Sequence, residues 1–160
     1  MNYRSILEAG VMSLAAERVI KAELGVSNQN PVAVVSEAFV KGLLEQRSGH
    51  QFQLLGSNTK GFDLQDVVTG ETYEVKSTNT AESHYHYGNL VGKSADWCVF
   101  IKWNYNLDYV AEYCLLFRTG IILDNLQGNN NRLQSTRLDQ IRESATDLTG
   151  ELQAFMELAR

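Results

Sequence analysis

Gly61-Phe-Asp-Leu-Gln-Asp-Val-Val-Thr-Gly-Glu-Thr-Tyr-Glu-Val-Lys-Ser77 dictates the architecture of the chain around it. Two short runs of strand-forming residues flank Thr69-Gly70, a turn signal, so the segment predicts a tight β-hairpin. Asp63 falls on its first strand, Glu74 and Lys76 on its second. Residues two apart on a strand share a face, which puts Glu74 and Lys76 side by side. Ten residues lie between Asp63 and Glu74, enough for a strand, a turn and a return to the same level. Two carboxylates beside one ammonium group suit a hard divalent cation such as Mg²⁺, which takes one or two carboxylates together with waters and phosphate oxygens. A metal held this way polarises a phosphodiester and activates water. Glu-x-Lys on a strand is also a common solvent-exposed charge pair. The aspartate at matching height and the polar, aromatic segment that follows favour a site.

The bulk composition permits this. The chain has 160 residues, 44% hydrophobic and 21% charged, with a net charge of −5. That is enough for one soluble domain and short for two. No apolar run approaches the ~20 residues of a membrane span, and the N-terminus lacks the form of a secretory signal. Cys98 and Cys114 lie in apolar strand-like runs, as buried thiols of a cytoplasmic protein do. The acidic balance argues mildly against a nucleic-acid partner. A local basic surface drawn from Lys60, Lys93, Lys102, Arg132, Arg137 and Arg142 would be enough to offset it.

Working outward, apolar spacing predicts a helix over 4–24, with Gly25 as its cap, then a turn at 28–31 and a second helix over 32–47. A short strand at 52–55 and a polar loop at 56–61 lead into the hairpin. Trp97-Cys-Val-Phe-Ile-Lys-Trp103 is a continuous apolar run, expected of a central strand covered on both faces. Residues 109–117 form the next strand, 127–132 a loop, and 144–159 a final helix. Helices at both ends and a mixed sheet between them give an α/β sandwich.

Asp63 followed by Glu74-Val-Lys76 resembles the Asp…(Asp/Glu)-x-Lys core of the PD-(D/E)xK nuclease superfamily. Phe62 stands where that family often has proline. The resemblance implies a restriction-endonuclease-like fold, a central mixed β-sheet flanked by helices. It also implies Mg²⁺ (with Mn²⁺ able to substitute), held by Asp63, Glu74 and the Val75 carbonyl. Lys76 then serves either as base or as charge stabiliser. Many members add an acidic residue from the helix before the hairpin, and Glu37 is placed for that role; the same residue also reads as a plain surface glutamate.

Within the superfamily the chain is similar to type II restriction endonucleases. That implies a homodimer on double-stranded DNA, with residues 1–30 as a dimerisation element, 32–117 as the catalytic core and 118–160 as a C-terminal loop and helix. It further implies base contacts from Ser83, His84, Tyr85, His86 and Asn89, and from Asn130 and Asn131. Histidine donates to guanine acceptors and asparagine pairs with adenine, so the chemistry is apt. The histidine segment also reads as a surface loop and the Asn129–Asn131 run as a turn. His84 and His86 lack the further ligands of a zinc site. A repair or junction-resolving nuclease, or a non-catalytic DNA-binding module of the same fold, remains the alternative.

Overall fold

The computed structural model describes residues 1–24, 31–55, 61–88, 90, 94–105, 108–126 and 132–159. Two helices come first, α1 (Tyr3–Leu24) and α2 (Pro31–Ser48). Strands β1 (Phe52–Leu54), β2 (Leu64–Asp66) and β3 (Thr72–Thr78) follow, then β4 (His86–Tyr87), β5 (Trp97–Trp103) and β6 (Ala111–Arg118). Helix α3 (Thr119–Leu123), strand β7 (Leu133–Gln134), helix α4 (Ser135–Ile141), strand β8 (Thr146–Asp147) and helix α5 (Thr149–Ala159) complete the chain.

Six strands make one mixed sheet in the order β1-β2-β3-β5-β6-β8, in which β3 and β5 run parallel and every other neighbouring pair antiparallel. β4 and β7 form a separate two-stranded antiparallel ribbon. The fold is therefore α/β, a central mixed sheet flanked by helices, as the sequence led one to expect.

Alternation along the central strands builds two cores. Val99, Ile101 and Trp103 of β5 and Cys114 of β6 meet α1, α2 and α5 on one face. Cys98 and Phe100, with Tyr113, Leu115 and Phe117, meet α3, α4 and the ribbon on the other. Both faces are covered, so β5 must be apolar at nearly every position, and its continuous run is explained. Gly42 lets the three helices of the first face close up: a Cβ there would lie 2.4 Å from the Phe155 ring and 2.6 Å from Tyr3 Oη. Among the described residues, no helix is long and apolar enough to cross a membrane.

Three local expectations shift. Asp63 sits just before β2 rather than within it. β6 begins at Ala111 because Tyr109 adopts φ 51°, outside the strand region. The C-terminal helix starts at Thr149, since Arg142–Ser144 is a 3₁₀ turn and Thr146–Asp147 joins the sheet edge. The expected turn over 28–30, the loop residues 56–60 and the tract 127–131 lie outside the described residues.

Candidate active site

The hairpin sets the site. β2 and β3 pair Leu64 with Tyr73 and Gln65 with Thr72, so Asp63 and Glu74 stand next in register. The Asp63 N–H donates to the Tyr73 carbonyl at 2.8 Å, which continues the ladder one residue past the strand. At the following step a side chain replaces the backbone: Asp63 Oδ2 accepts the Val75 N–H at 2.7 Å. One carboxylate is thereby held by a backbone donor, and its direction is fixed by the sheet itself. Gly61 prepares this approach. Its φ of +108° suits glycine, and an added Cβ would meet Ser94 Oγ at 2.5 Å.

Glu74 and Lys76 extend from β3 together. Lys76 Nζ lies 2.5 Å from Glu74 Oε1, with side-chain exposures of 21% and 1% respectively. The lysine thus keeps a path to solvent and the glutamate does not. In register they match Cys98 and Phe100, so both project on the face of the second core. Ser77 Oγ, next along the strand, is buried with no hydrogen-bond partner among the described residues.

Glu37 joins from α2. Burial first, then the charges of Asp63 and Glu74, raise its carboxyl from 4.5 to about 7, while Lys76 opposes the rise. The α2 residue is therefore within electrostatic reach of all three hairpin groups. Ser36, the residue before it, ties α2 to β5. Its hydroxyl donates to the Val32 carbonyl at 2.6 Å and accepts the Trp103 indole N–H at 2.8 Å, fully buried. Sequence reading passed over Ser36, because its partner on β5 is 67 residues away.

A further carboxylate in the hairpin, Asp66, is structural. Asp66 Oδ1 accepts the N–H groups of Val68 and Thr69, at 2.8 and 3.2 Å, and Oδ2 contacts His50 Nδ1 at 2.8 Å. Burial works to raise its carboxyl, but these bonds prevail and bring it down to about 2. The turn carrying β3 back beside β2 is built on it.

The donor set at the hairpin fits a hard cation. Asp63 and Glu74 offer carboxylate oxygens at paired positions, and neighbouring positive charge relieves the repulsion between them. Among the described residues, no group of three His, Cys, Asp or Glu side chains is gathered as a ready-made metal cage. One or two carboxylates plus waters and phosphate oxygens is the composition Mg²⁺ accepts.

The histidine segment is split by the structure. Ser83 and His84 lie in an exposed bend, and His86 is exposed on β4. Tyr85 turns inward instead: its hydroxyl meets that of Tyr113 at 2.6 Å, and Lys102 Nζ sits 5.0 Å over its ring. The Tyr87 ring contacts Phe100 at 4.9 Å, which places the ribbon on the sheet face that carries Glu74 and Lys76. Asn89, Asn130 and Asn131 lie outside the described residues, as do Lys60 and Lys93. Of the remaining basic candidates, Lys102 pairs with Glu112 at 2.8 Å and Arg142 with Asp147 at 2.9 Å. Arg137 donates to Gln140 at 2.8 Å and Arg132 reaches His86.

No protein-family model matches the chain. No curated protein matches it either. Among solved structures it is similar to the bacterial homing endonuclease I-Ssp6803I, at 12% identity and a TM-score of 0.46, over 84% of this chain and 93% of that one. Likeness at this level carries no functional weight, and the reading of function rests on the hairpin.

Proposed function

We propose that this chain is a Mg²⁺-dependent endodeoxyribonuclease that hydrolyses phosphodiester bonds of double-stranded DNA. The observation that carries the reading is the pairing of Asp63 with Glu74 across the β2–β3 register, with Lys76 in an ion pair with Glu74. Asp63 and Glu74 would hold the ion. In a strand the N–H and C=O of one residue point to the same side; the Val75 N–H is directed at Asp63, so its carbonyl is a third candidate ligand. When bound, the ion supplies a positive centre that polarises the phosphate and acidifies a water.

The protein's own groups do the rest. The Val75 N–H keeps Asp63 aimed before any substrate arrives. Glu74 holds the Lys76 ammonium, which is placed to orient the attacking water or to donate to the charge that develops on the phosphate. Glu37, within electrostatic reach of Asp63, Glu74 and Lys76, would assist through a second metal or a water.

The resemblance to type II restriction endonucleases supports the finer reading: a site-specific homodimer, cytoplasmic, with one active site per strand of a palindrome. Plasmid cleavage tests both levels. Wild type with Mg²⁺ should linearise supercoiled DNA, EDTA should abolish cutting, and Lys76→Ala should cut at least about a hundredfold more slowly. A discrete fragment pattern from long DNA supports site-specific cleavage; a smear or cuts confined to branched DNA favours the repair or junction alternative. No nicking by wild type in Mg²⁺ or Mn²⁺, or an undiminished Lys76→Ala, overturns the nuclease assignment.

A further inference from the structure

The β4–β7 ribbon has two unlike faces. Tyr87 and Leu133, paired in register, are buried in the second core. His86 and Gln134 form the adjacent pair and are both exposed, since side chains alternate along each strand. The ribbon is clamped from beneath. Tyr87 Oη donates to the Ile101 carbonyl at 3.0 Å and lies 3.0 Å from Tyr113 Oη. The Ser135 N–H donates to the Tyr85 carbonyl at 2.8 Å, and the Tyr85 N–H to Ser135 Oγ at 3.3 Å. In the folded state the outward row is therefore held in place from beneath, the condition for a precise polar contact.

Two details on that row point to a ligand. Arg132 Nη1 stands 3.0 Å from His86 Nε2. A guanidinium has only donors, so the imidazole nitrogen must accept and the ring proton resides on Nδ1. Gln134 immediately precedes α4, yet its side chain makes no capping bond to that helix. Exposed on the ribbon, its amide offers a donor and an acceptor beside a histidine whose accepting nitrogen already faces Arg132.

We propose that Gln134 and Arg132 determine sequence specificity: Gln134 contacts a base edge directly, and Arg132 positions His86 as an Nδ1–H donor beside it. The ligand is the major-groove edge of double-stranded DNA, and only the identity of that ligand rests on the nuclease reading above. A two-stranded ribbon fits the major groove. An N–H donor is matched by the N7 and O6 acceptors of guanine and refused by an exocyclic amine, and a carboxamide pairs with N6 and N7 of adenine. Arg132 is thus a positioning residue, whose effect on recognition passes through the histidine tautomer.

The test separates tautomer, recognition and cutting. Nitrogen-15 NMR of His86 in the metal-free wild type should show the proton on Nδ1, and Arg132→Met should shift it towards Nε2. Arg132→Lys, which keeps a donor, should restore the first state. A proton on Nε2 in the wild type, or no change in Arg132→Met, overturns the positioning role. Binding is then measured by selection from random duplexes, without divalent metal. Arg132→Met and Gln134→Ala should each relax preference at one base position by roughly ten- to hundredfold while leaving the salt dependence of binding intact. Uniform weakening on all sequences, with a shallower salt slope, would mark phosphate contacts and overturn base reading. Selective binding with no cleavage in Mg²⁺ would sink the nuclease assignment and uphold this one.

Discussion

Replacing Glu37 by glutamine should make the metal-free protein more stable at alkaline pH, and the gain follows from the site's electrostatics. In the folded chain burial, then Asp63 and Glu74, lift the Glu37 carboxyl from 4.5 to about 7. An acid that binds its proton more tightly when folded stabilises the fold fully below its unfolded value. That contribution fades as pH rises and is gone above about 7. The full difference corresponds to a ceiling of about 3 kcal/mol. Glu37 keeps partial contact with solvent, so about 1–2 kcal/mol is the expected loss after screening. Glutamine is neutral throughout and escapes it. In a chain of this size Glu37→Gln should melt about 3–6 °C above wild type at pH 8.5. The gap should close as the pH falls to 4.5. Melting curves followed by circular dichroism from pH 4.5 to 8.5, in EDTA, measure both statements. A variant no more stable than wild type at pH 8.5, or a gap that persists unchanged at pH 4.5, refutes the account.

The ion pair and the turn give two further expectations. Lys76→Met leaves the buried Glu74 carboxylate without its ammonium and should cost about 3–5 kcal/mol in urea unfolding, whereas Glu74→Gln combined with Lys76→Met should recover most of it. A double variant as unstable as the single one would show that charge at Glu74 is not the cause. Asp66→Asn should lower stability at pH 7 by about 1–2 kcal/mol through weakened turn bonds. Because the folded Asp66 carboxyl is depressed to about 2, its contribution is present above the ordinary 3.8 and lost as pH falls towards 2. The two proteins should therefore converge at the acid end of a titration, and parallel curves down to pH 2 would contradict that.

Sequence alone revealed those parts of the fold whose cause is local. Trp97–Trp103 was legible because a strand buried on both faces must be apolar at nearly every step. The Asp63–Glu74 alignment was legible because a short hairpin leaves little choice of register. The ribbon was not: β7 is two residues long and its partner is far off in sequence, so neither strand has a period to detect. Helix α4 escaped for a similar reason, with seven residues and only Ser135 and Leu138 buried. Asp66 carries a readable signal, Asp-Val-Val-Thr-Gly, an aspartate opening a turn. The conclusion about Tyr85 needed Tyr113, which no local pattern could supply.

The contact that aims Asp63 spans 12 residues, whereas the one that holds His86 spans 46. Closing the longer loop costs more entropy, and it is repaid by strands only two residues long. Amide exchange should accordingly find the hairpin among the last segments to open and the ribbon among the first. On the proposed reading, modest heat or denaturant would erode the choice of sequence while the machinery for cutting still stood. Fidelity and turnover would then have separate melting points within one small chain.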